Sequence, residues 1–176
     1  MTTLKTLGLL LTLVGLTSCG GGGSPYVATT AADCALPLKY ANGVSSGIAI
    51  AESSDWTRLN TELARTLAAC PIERLQTVSL GLCIRHDRTG ELTVKVTGPE
   101  NNSTSLSLAG KAGVGDSACT GLDPLARLFR LGLDIAPFSP MTTLNGPWLV
   151  QVRDSQPGFG SGTLIGWSLE LQGLQW

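Results

Sequence analysis

The chain contains a single histidine, His86, and this residue is the natural candidate for a general base. A hydrolase that works through a serine or cysteine nucleophile needs such a base beside the nucleophile, and a third group that orients the base. The local patterns that surround these groups in serine proteases are absent from the sequence. The sequence therefore predicts no catalytic triad and no enzyme, and hydrolysis through His86 is the alternative hypothesis.

Acidic side chains form the second group that could do chemistry, because most of them flank predicted turns. Two carboxylates on either side of a sugar bond can act as acid and base in glycoside hydrolysis. Carboxylates in turns are also ordinary solvated residues or caps of short helices. The acidic residues beside turns are Asp87, Glu91, Asp116, Asp123, Asp134 and Asp154. A hydrolase that uses two of these turn carboxylates is a second enzymatic alternative.

Composition and charge exclude some classes of function. The 176 residues suffice for one domain, and the 22 glycines with only 5% aromatic residues are typical of a loop-rich β domain. The 12 basic residues are scattered along the chain and nearly balance the 13 acidic ones. Because no basic patch alternates with aromatic residues, the sequence predicts no nucleic-acid partner.

The N-terminal residues predict export from the cytoplasm. Lys5 precedes an apolar run over residues 7–16, which is too short to span a bilayer and is typical of the centre of a secretory signal. The run ends in the letters LTSC, which resemble the lipobox of bacterial lipoproteins. In those proteins the signal is removed before the cysteine, which then carries acyl chains that hold the protein on a membrane. We therefore predict a signal peptide over residues 1–18 and lipidation of Cys19, with an ordinary signal peptide as the alternative.

Residues 19–33 are the predicted tether between the membrane and the folded domain. Gly, Ser, Thr and Ala dominate this stretch, a composition that favours a flexible coil. Gly20 stands where an aspartate would favour retention in the inner membrane of a Gram-negative host. We therefore expect a lipoprotein of the bacterial cell envelope, anchored in the outer membrane, with its folded domain over residues 34–176.

Four cysteines remain in the predicted domain: Cys34, Cys70, Cys83 and Cys119. An exported chain meets an oxidising compartment, where an even number of cysteines predicts two disulfides. Three pairings are open. We prefer Cys34 with Cys70, which would clip the start of the domain to a helix end, and Cys83 with Cys119, which would pin a long loop to a central strand. A zinc site is the other reading, but the spacings contain no CxxC.

The elements that would position all these residues are mostly strands. Apolar and polar residues alternate in short segments, separated by turn sequences such as DRTG, GPENN and QPGFGSG. This pattern predicts an antiparallel sandwich or jelly roll. One amphipathic helix is predicted over about residues 55–69, where Trp56, Leu63 and Leu67 recur at helical spacing. A second, short helix is predicted to begin at Asp123, where a proline follows the capping residue.

The central and closing strands resemble the P domain, also called the P/Homo B domain, which follows the catalytic domain in kexin-like and many bacterial subtilisin-type proteases. In the centre, an apolar strand ends in Ile-x-His, a short turn carries Gly-x-Leu, and Gly-Pro precedes the next strand. The closing pattern has two strands that each carry a tryptophan, with a glycine-rich turn between them. The matching residues are Ile84, His86, Gly90, Glu91, Leu92, Gly98, Pro99, Gly146, Trp148, Val150, Val152, Asp154, Gly162, Leu164, Trp167 and Leu169.

The resemblance covers about residues 44–173 and implies a jelly-roll β-sandwich, in agreement with the alternating pattern. It implies that His86 makes a hydrogen bond that fixes the following turn. Trp148 and Trp167 are expected to be core residues. The sequence departs from the family pattern in the predicted helix, which is an insertion, and in the missing acidic residue two positions before Gly162.

Calcium is the one cofactor that the resemblance suggests, since some P domains bind it. This ion takes six to eight oxygen ligands, often from carboxylates in loops. The candidate ligands are Glu91, Asp116, Asp123 and Asp154, in the pairs Asp116 with Asp123 and Glu91 with Asp154. No loop of the DxDxDG type accompanies them.

The resemblance implies a non-catalytic module that binds or stabilises another protein. In the family, the P domain packs against the catalytic domain and supports its folding, so the expected partner is a protein such as a secreted serine protease. A purely structural outer-membrane lipoprotein is the remaining alternative. Trp176 could be exposed and contact a partner or lipid, or it could close the bottom of the sandwich.

Overall fold

A computed structural model shows how the predicted domain folds. The structure describes residues 29–41, 47–52, 56, 63–156, 158 and 161–176. The predicted signal peptide and Cys19 lie outside the described residues. Within the described part of the chain, no helix is long and apolar enough to cross a bilayer.

Among the described residues, ten strands form two sheets, which pack face to face. The first sheet contains β1 (Thr30–Tyr40), β2 (Ile48–Ala49), β5 (Arg74–His86), β8 (Arg127–Gly132) and β10 (Gly162–Gln175). The second sheet contains β3 (Ala51–Glu52), β4 (Leu63–Leu67), β6 (Leu92–Thr97), β7 (Ser103–Ser107) and β9 (Gly146–Asp154). The predicted β-sandwich is confirmed, and its jelly-roll connectivity stays a prediction.

The strand orders place β10 and β9 at the centre of their sheets. The first sheet has the order β1-β10-β5-β8, with β2 also paired to β10, and all of its pairs are antiparallel. The second has the order β3-β9-β6-β7, with β4 also paired to β9, and only β3 runs parallel to its neighbour. In strand order the chain changes sheet after β2, β4, β5, β7, β8 and β9, so the ends of β5 and β9 both lie where the chain passes from one sheet to the other.

Alternation of apolar residues explains the core. In β5, Val78, Leu80, Leu82 and Ile84 are all buried, because every second side chain of a strand points to the same face. Apolar residues at alternate positions of β6, β9 and β10 meet them to form one hydrophobic cluster. The alternation read from the sequence is therefore the packing surface of the sandwich.

The helix predicted over residues 55–69 is wrong for its second half. Residues Leu63–Leu67 form β4, which pairs with β9 from Leu63 opposite Val150 to Leu67 opposite Gly146. Leu63 and Leu67 are both buried, and a spacing of four places two side chains on one face of a helix and of a strand alike. The edge of β9 offers backbone partners to this segment, so tertiary pairing decides the conformation. Residues 57–62 lie outside the described residues.

The second predicted helix is also wrong in its position. The helix lies earlier, as α1 (Ser117–Thr120), and Asp116 caps it by accepting a hydrogen bond from Ala118 N at 2.8 Å. Asp123 instead stabilises a turn, in which its Oδ1 accepts from Leu125 N. The chain must enter β8 directly after this turn to pair with β5, which leaves no room for a helix there.

Two disulfides join the preferred cysteine pairs. Cys34–Cys70 links β1 to the segment that follows β4, and Cys83–Cys119 links the outer side of β5 to α1. The second bond lies in a small buried cluster with Ala126, Leu128 and Ile165, separate from the main core. The disulfide prediction and its preferred pairing are confirmed.

Candidate functional site

Two residues of the P-domain-like pattern, His86 and Asp154, form one buried pair. His86 is the last residue of β5 and Asp154 is the last residue of β9, so the two side chains come from different sheets. Nε2 of His86 lies 3.1 Å from Oδ2 of Asp154, and both side chains are only 1% exposed. This contact closes one end of the sandwich from the inside.

The hydrogen bonds around this pair define the state of the imidazole. Arg88 N donates to Nδ1 of His86 at 2.9 Å, in the turn that follows β5. Since Nδ1 accepts, the ring proton sits on Nε2 and points at the Asp154 carboxylate. The other carboxylate oxygen accepts from Gln156 N at 2.8 Å. Both ring nitrogens are therefore engaged, and neither is left to take a proton from a substrate.

Gly162 provides the space that the histidine ring occupies. It lies directly opposite His86 in the β10–β5 pairing. A Cβ at this position would overlap Cδ2 of His86 and lie 2.9 Å from its Cγ. The glycine of the closing motif is thus a steric requirement of the buried pair rather than a feature of the turn alone.

The two motif tryptophans lie in the core. Trp148 is fully buried, donates from Nε1 to Leu144 O at 3.0 Å and packs against Phe138 at 5.4 Å between ring centroids. Trp167 is buried as well, and Cζ of Arg65 lies 5.0 Å from the centroid of its ring. Their burial leaves no face on which a sugar could stack.

Arg65 is a residue that the sequence did not single out. Its Nη1 donates to Pro37 O at 2.7 Å and to Trp167 O at 3.0 Å, so it joins β4 of the second sheet to β1 and β10 of the first. Burial lowers the pKa of the guanidinium, which remains protonated at neutral pH because an arginine starts from a very high value. A cavity of about 420 Å³ opens beside Arg65 between β1 and β4, and neither His86 nor Asp154 lines it.

Glu100 is the second residue that the sequence did not reveal. Its Oε1 accepts three hydrogen bonds, from Thr142 Oγ1 at 2.6 Å, Thr142 N at 2.9 Å and Thr143 N at 3.0 Å. These hydrogen bonds, foremost the one from the Thr142 hydroxyl, lower the pKa of the Glu100 carboxyl. The partners lie more than 40 residues along the chain, so no local signal in the GPENN turn could have found them.

The proposed calcium ligands lie at several places rather than around one point. Asp116 faces Arg130, with 3.4 Å between Oδ2 and Nη2, and Asp123 pairs with Arg85 at 2.9 Å. Glu91 contacts Arg88 at 3.3 Å, while its Oε2 is buried without a hydrogen-bond partner.

A calcium ion would need several of these oxygens together. Among the residues that the structure describes, no group of three or more His, Cys, Asp or Glu is placed to hold a metal ion. The donor set therefore does not fit calcium, and calcium binding stays a prediction without support from the geometry.

These features define a disulfide-bonded β-sandwich domain in which a neutral histidine and a carboxylate join the two sheets. The same fold occurs within a serine protease of Aeromonas sobria. In the crystal structure of that protease in complex with the chaperone ORF2, the match has a TM-score of 0.53 at 19% identity. In the crystal structure of the serine protease, the match has a TM-score of 0.52 at 16% identity.

Both matches cover 86% of this chain but only 28% of the matched chain. The chain therefore spans little more than a quarter of the length of the solved structures that it matches. At these identities, the similarity concerns the fold alone. No protein-family model matches the sequence, and no curated protein matches it either.

Proposed function

We propose that the chain is a lipid-anchored, non-catalytic P-domain-like module of the bacterial envelope that binds and stabilises a secreted serine protease. The observation that carries the proposal is the fold similarity: the fold of 86% of this chain resembles that of 28% of a protease chain. In the P-domain family that the sequence resembles, this sandwich packs against the catalytic domain of the protease. A separate sandwich of the same fold could offer the corresponding surface to a protease in trans.

The fraction of each matched chain that the alignment covers indicates that this chain is similar to the protease and not to the chaperone. One structure contains the protease with the chaperone ORF2 and the other is of the serine protease, and the matched share of the chain is 28% in both. This equality is expected if the matched chain is the protease in each. The module then corresponds to a part of the protease and not to the chaperone.

The state of His86 supports a non-catalytic role. A general base must reach the proton that it removes. The ring of His86 is buried, its Nε2 hydrogen is directed at Asp154, and its Nδ1 accepts from Arg88 N. This arrangement holds the sandwich together and leaves the histidine without a free nitrogen.

Co-purification with a matched control tests the proposal. The full chain, tagged and expressed in its host, should enrich one serine protease in near-equal amount from crosslinked envelope and secreted fractions. Co-expression should also raise the yield of active protease. The His86→Ala variant, in which the sandwich end is loosened, should enrich less protease, whereas Arg85→Ala should behave as the wild type.

Three results would contradict parts of this function. Enrichment of peptidoglycan or of no protein would favour the structural lipoprotein. A hydrolytic activity of the purified chain that disappears in His86→Asn while the fold persists would favour the enzyme. An intact mass without acyl chains on Cys19 would exclude the lipid anchor.

A further inference from the structure

Trp176 is an exposed aromatic side chain at the end of β10. Its exposed fraction is 58%, and only Val114 and Leu125 accompany it among the exposed large apolar residues that the structure describes. An indole combines a large apolar body with one N–H donor, and this amphipathic character concentrates tryptophan at membrane–water interfaces.

The exposed side chain of Trp176 lies beside the point at which the predicted tether joins the sandwich. Thr30, the first residue of β1, lies directly opposite Gln175 in the β1–β10 pairing. The predicted tether therefore enters the sandwich beside Trp176. On the other side of β10, Glu73 N donates to Leu174 O, which keeps this end of the strand paired.

The length of the tether limits how far this end can stand from a membrane. The link from Cys19 to Thr30 spans residues 19–29. Fully extended it would reach about 40 Å, and as a flexible coil its ends would lie on the order of 20 Å apart. A chain acylated at Cys19 would thus keep the start of β1, and Trp176 beside it, within about 40 Å of the lipid surface.

We propose that Trp176 inserts into the interface of the membrane that holds Cys19 and so orients the sandwich. This inference rests on the lipid anchor of the proposed function. The charged residues alongside the last four residues of β10 are Asp33, Glu73 and Arg74, which carry no net positive charge, so the contact depends on the indole and not on anionic lipid. The apolar contact and the covalent anchor together fix one end of the domain, as two membrane signals do in other anchored proteins.

The orientation has a consequence for partner binding. β10 has 14 residues and runs from Gly162, beside His86, to Gln175, beside Thr30. At about 3.3 Å per residue its ends lie about 45 Å apart. The end of the sandwich that carries His86 and Asp154 would therefore face away from the membrane, towards a secreted partner.

Quenching of tryptophan fluorescence by brominated lipid tests the inference. The full acylated chain is reconstituted in phosphatidylcholine vesicles with and without bromine on the acyl chains. Trp176→Phe should lose most of the bromine-dependent quenching. Trp56→Phe is the matched control and should keep it, because Trp56 packs on Arg153 near the opposite end of the domain. Trp148 and Trp167 are buried in both variants and form a common background.

Each outcome decides a separate point. Equal quenching in the wild type and Trp176→Phe, or loss of quenching in Trp56→Phe, would overturn the orientation while leaving the anchor in place. The mass of the chain reports acylation independently. A chain that carries no acyl group on Cys19 would reject the anchor of the proposed function and this inference with it.

Discussion

Nε2 of His86 lies 3.1 Å from Oδ2 of Asp154, and this contact joins the last residues of two strands that belong to different sheets. The donor and acceptor are both buried, and each has one further backbone hydrogen bond, from Arg88 N to the imidazole and from Gln156 N to the carboxylate. A histidine next to an aspartate supplies two of the three members of a catalytic triad in a hydrolase. Here the burial and the engaged Nδ1 make the same two residues a link between sheets.

Removal of this link should destabilise the fold. His86→Ala leaves the buried Asp154 carboxylate with one donor fewer and Arg88 N without its acceptor. We expect a loss of about 2–3 kcal/mol in the free energy of unfolding, measured by urea denaturation. Arg85→Ala is the control, because its exposed pair with Asp123 contributes less than about 1 kcal/mol. Equal losses in the two variants would contradict the role assigned to His86.

A methyl group at Gly162 should disrupt the same pair by a steric route. Its Cβ would overlap the imidazole of His86, so Gly162→Ala should lower the free energy of unfolding by about 1–3 kcal/mol. Gly132→Ala in β8 is the matched control, since nothing lies within 4 Å of a Cβ at that position. If thermal denaturation shows the same midpoint for both variants, the close approach of Gly162 to His86 is not a constraint.

The two disulfides should differ in their resistance to reductant. Both close loops of the same sequence separation, 36 residues, so the chain-entropy contribution is equal, about 4 kcal/mol each. Cys83 and Cys119 are fully buried, whereas Cys34 is partly exposed in β1. Mild reduction followed by alkylation and mass spectrometry should therefore label Cys34 and Cys70 first. Earlier labelling of Cys83 and Cys119 would show that the cluster around α1 opens more readily than the edge of β1.

Glu100 should make the stability of the loop around Thr142 depend on pH. The pKa of its carboxyl is lowered in the folded state by hydrogen bonds from Thr142 and Thr143. The ionised carboxylate therefore stabilises the folded state at a pH above the ordinary glutamate pKa of about 4.3, and this stabilisation is lost as the pH falls through the pKa of the folded state. Glu100→Gln, which removes the charge, should lower the thermal midpoint at neutral pH and make no difference in strong acid. Glu170→Gln, on the exposed outer face of β10, should change the midpoint at neither pH. A Glu100→Gln effect that persists in strong acid would show that the charge is not its cause.

Local patterns predicted the strands well and two helices badly. Period-two alternation in β5 and β6 identified their buried residues, because a strand exposes alternate side chains to opposite faces. The spacing of Leu63 and Leu67 fits both a helix and a strand, and the segment is a strand because it pairs with β9. The helix assigned to Asp123 lies earlier, at Asp116, since either aspartate is a suitable cap and only the start of β8 distinguishes them.

The sequence identified the residues of the candidate site but not the contacts between them. The motif singled out His86, Asp154 and Gly162, and assigned the histidine a hydrogen bond to the following turn. The contact between His86 and Asp154 joins residues 68 positions apart, and the three hydrogen bonds to Glu100 span at least 42. Such pairs depend on how two sheets are stacked, which no local pattern contains.

The sequence by itself determined the β class and the core faces of the main strands, because these follow from side-chain alternation, whereas it left three pairings of the four cysteines open. Only the tertiary structure decided that β4 is a strand, that His86 donates to Asp154 with its second nitrogen occupied, and that Trp176 stands beside the start of β1. The reason is physical: alternation acts over neighbouring residues, whereas these three results depend on backbone edges and buried polar groups that find partners only when distant segments meet.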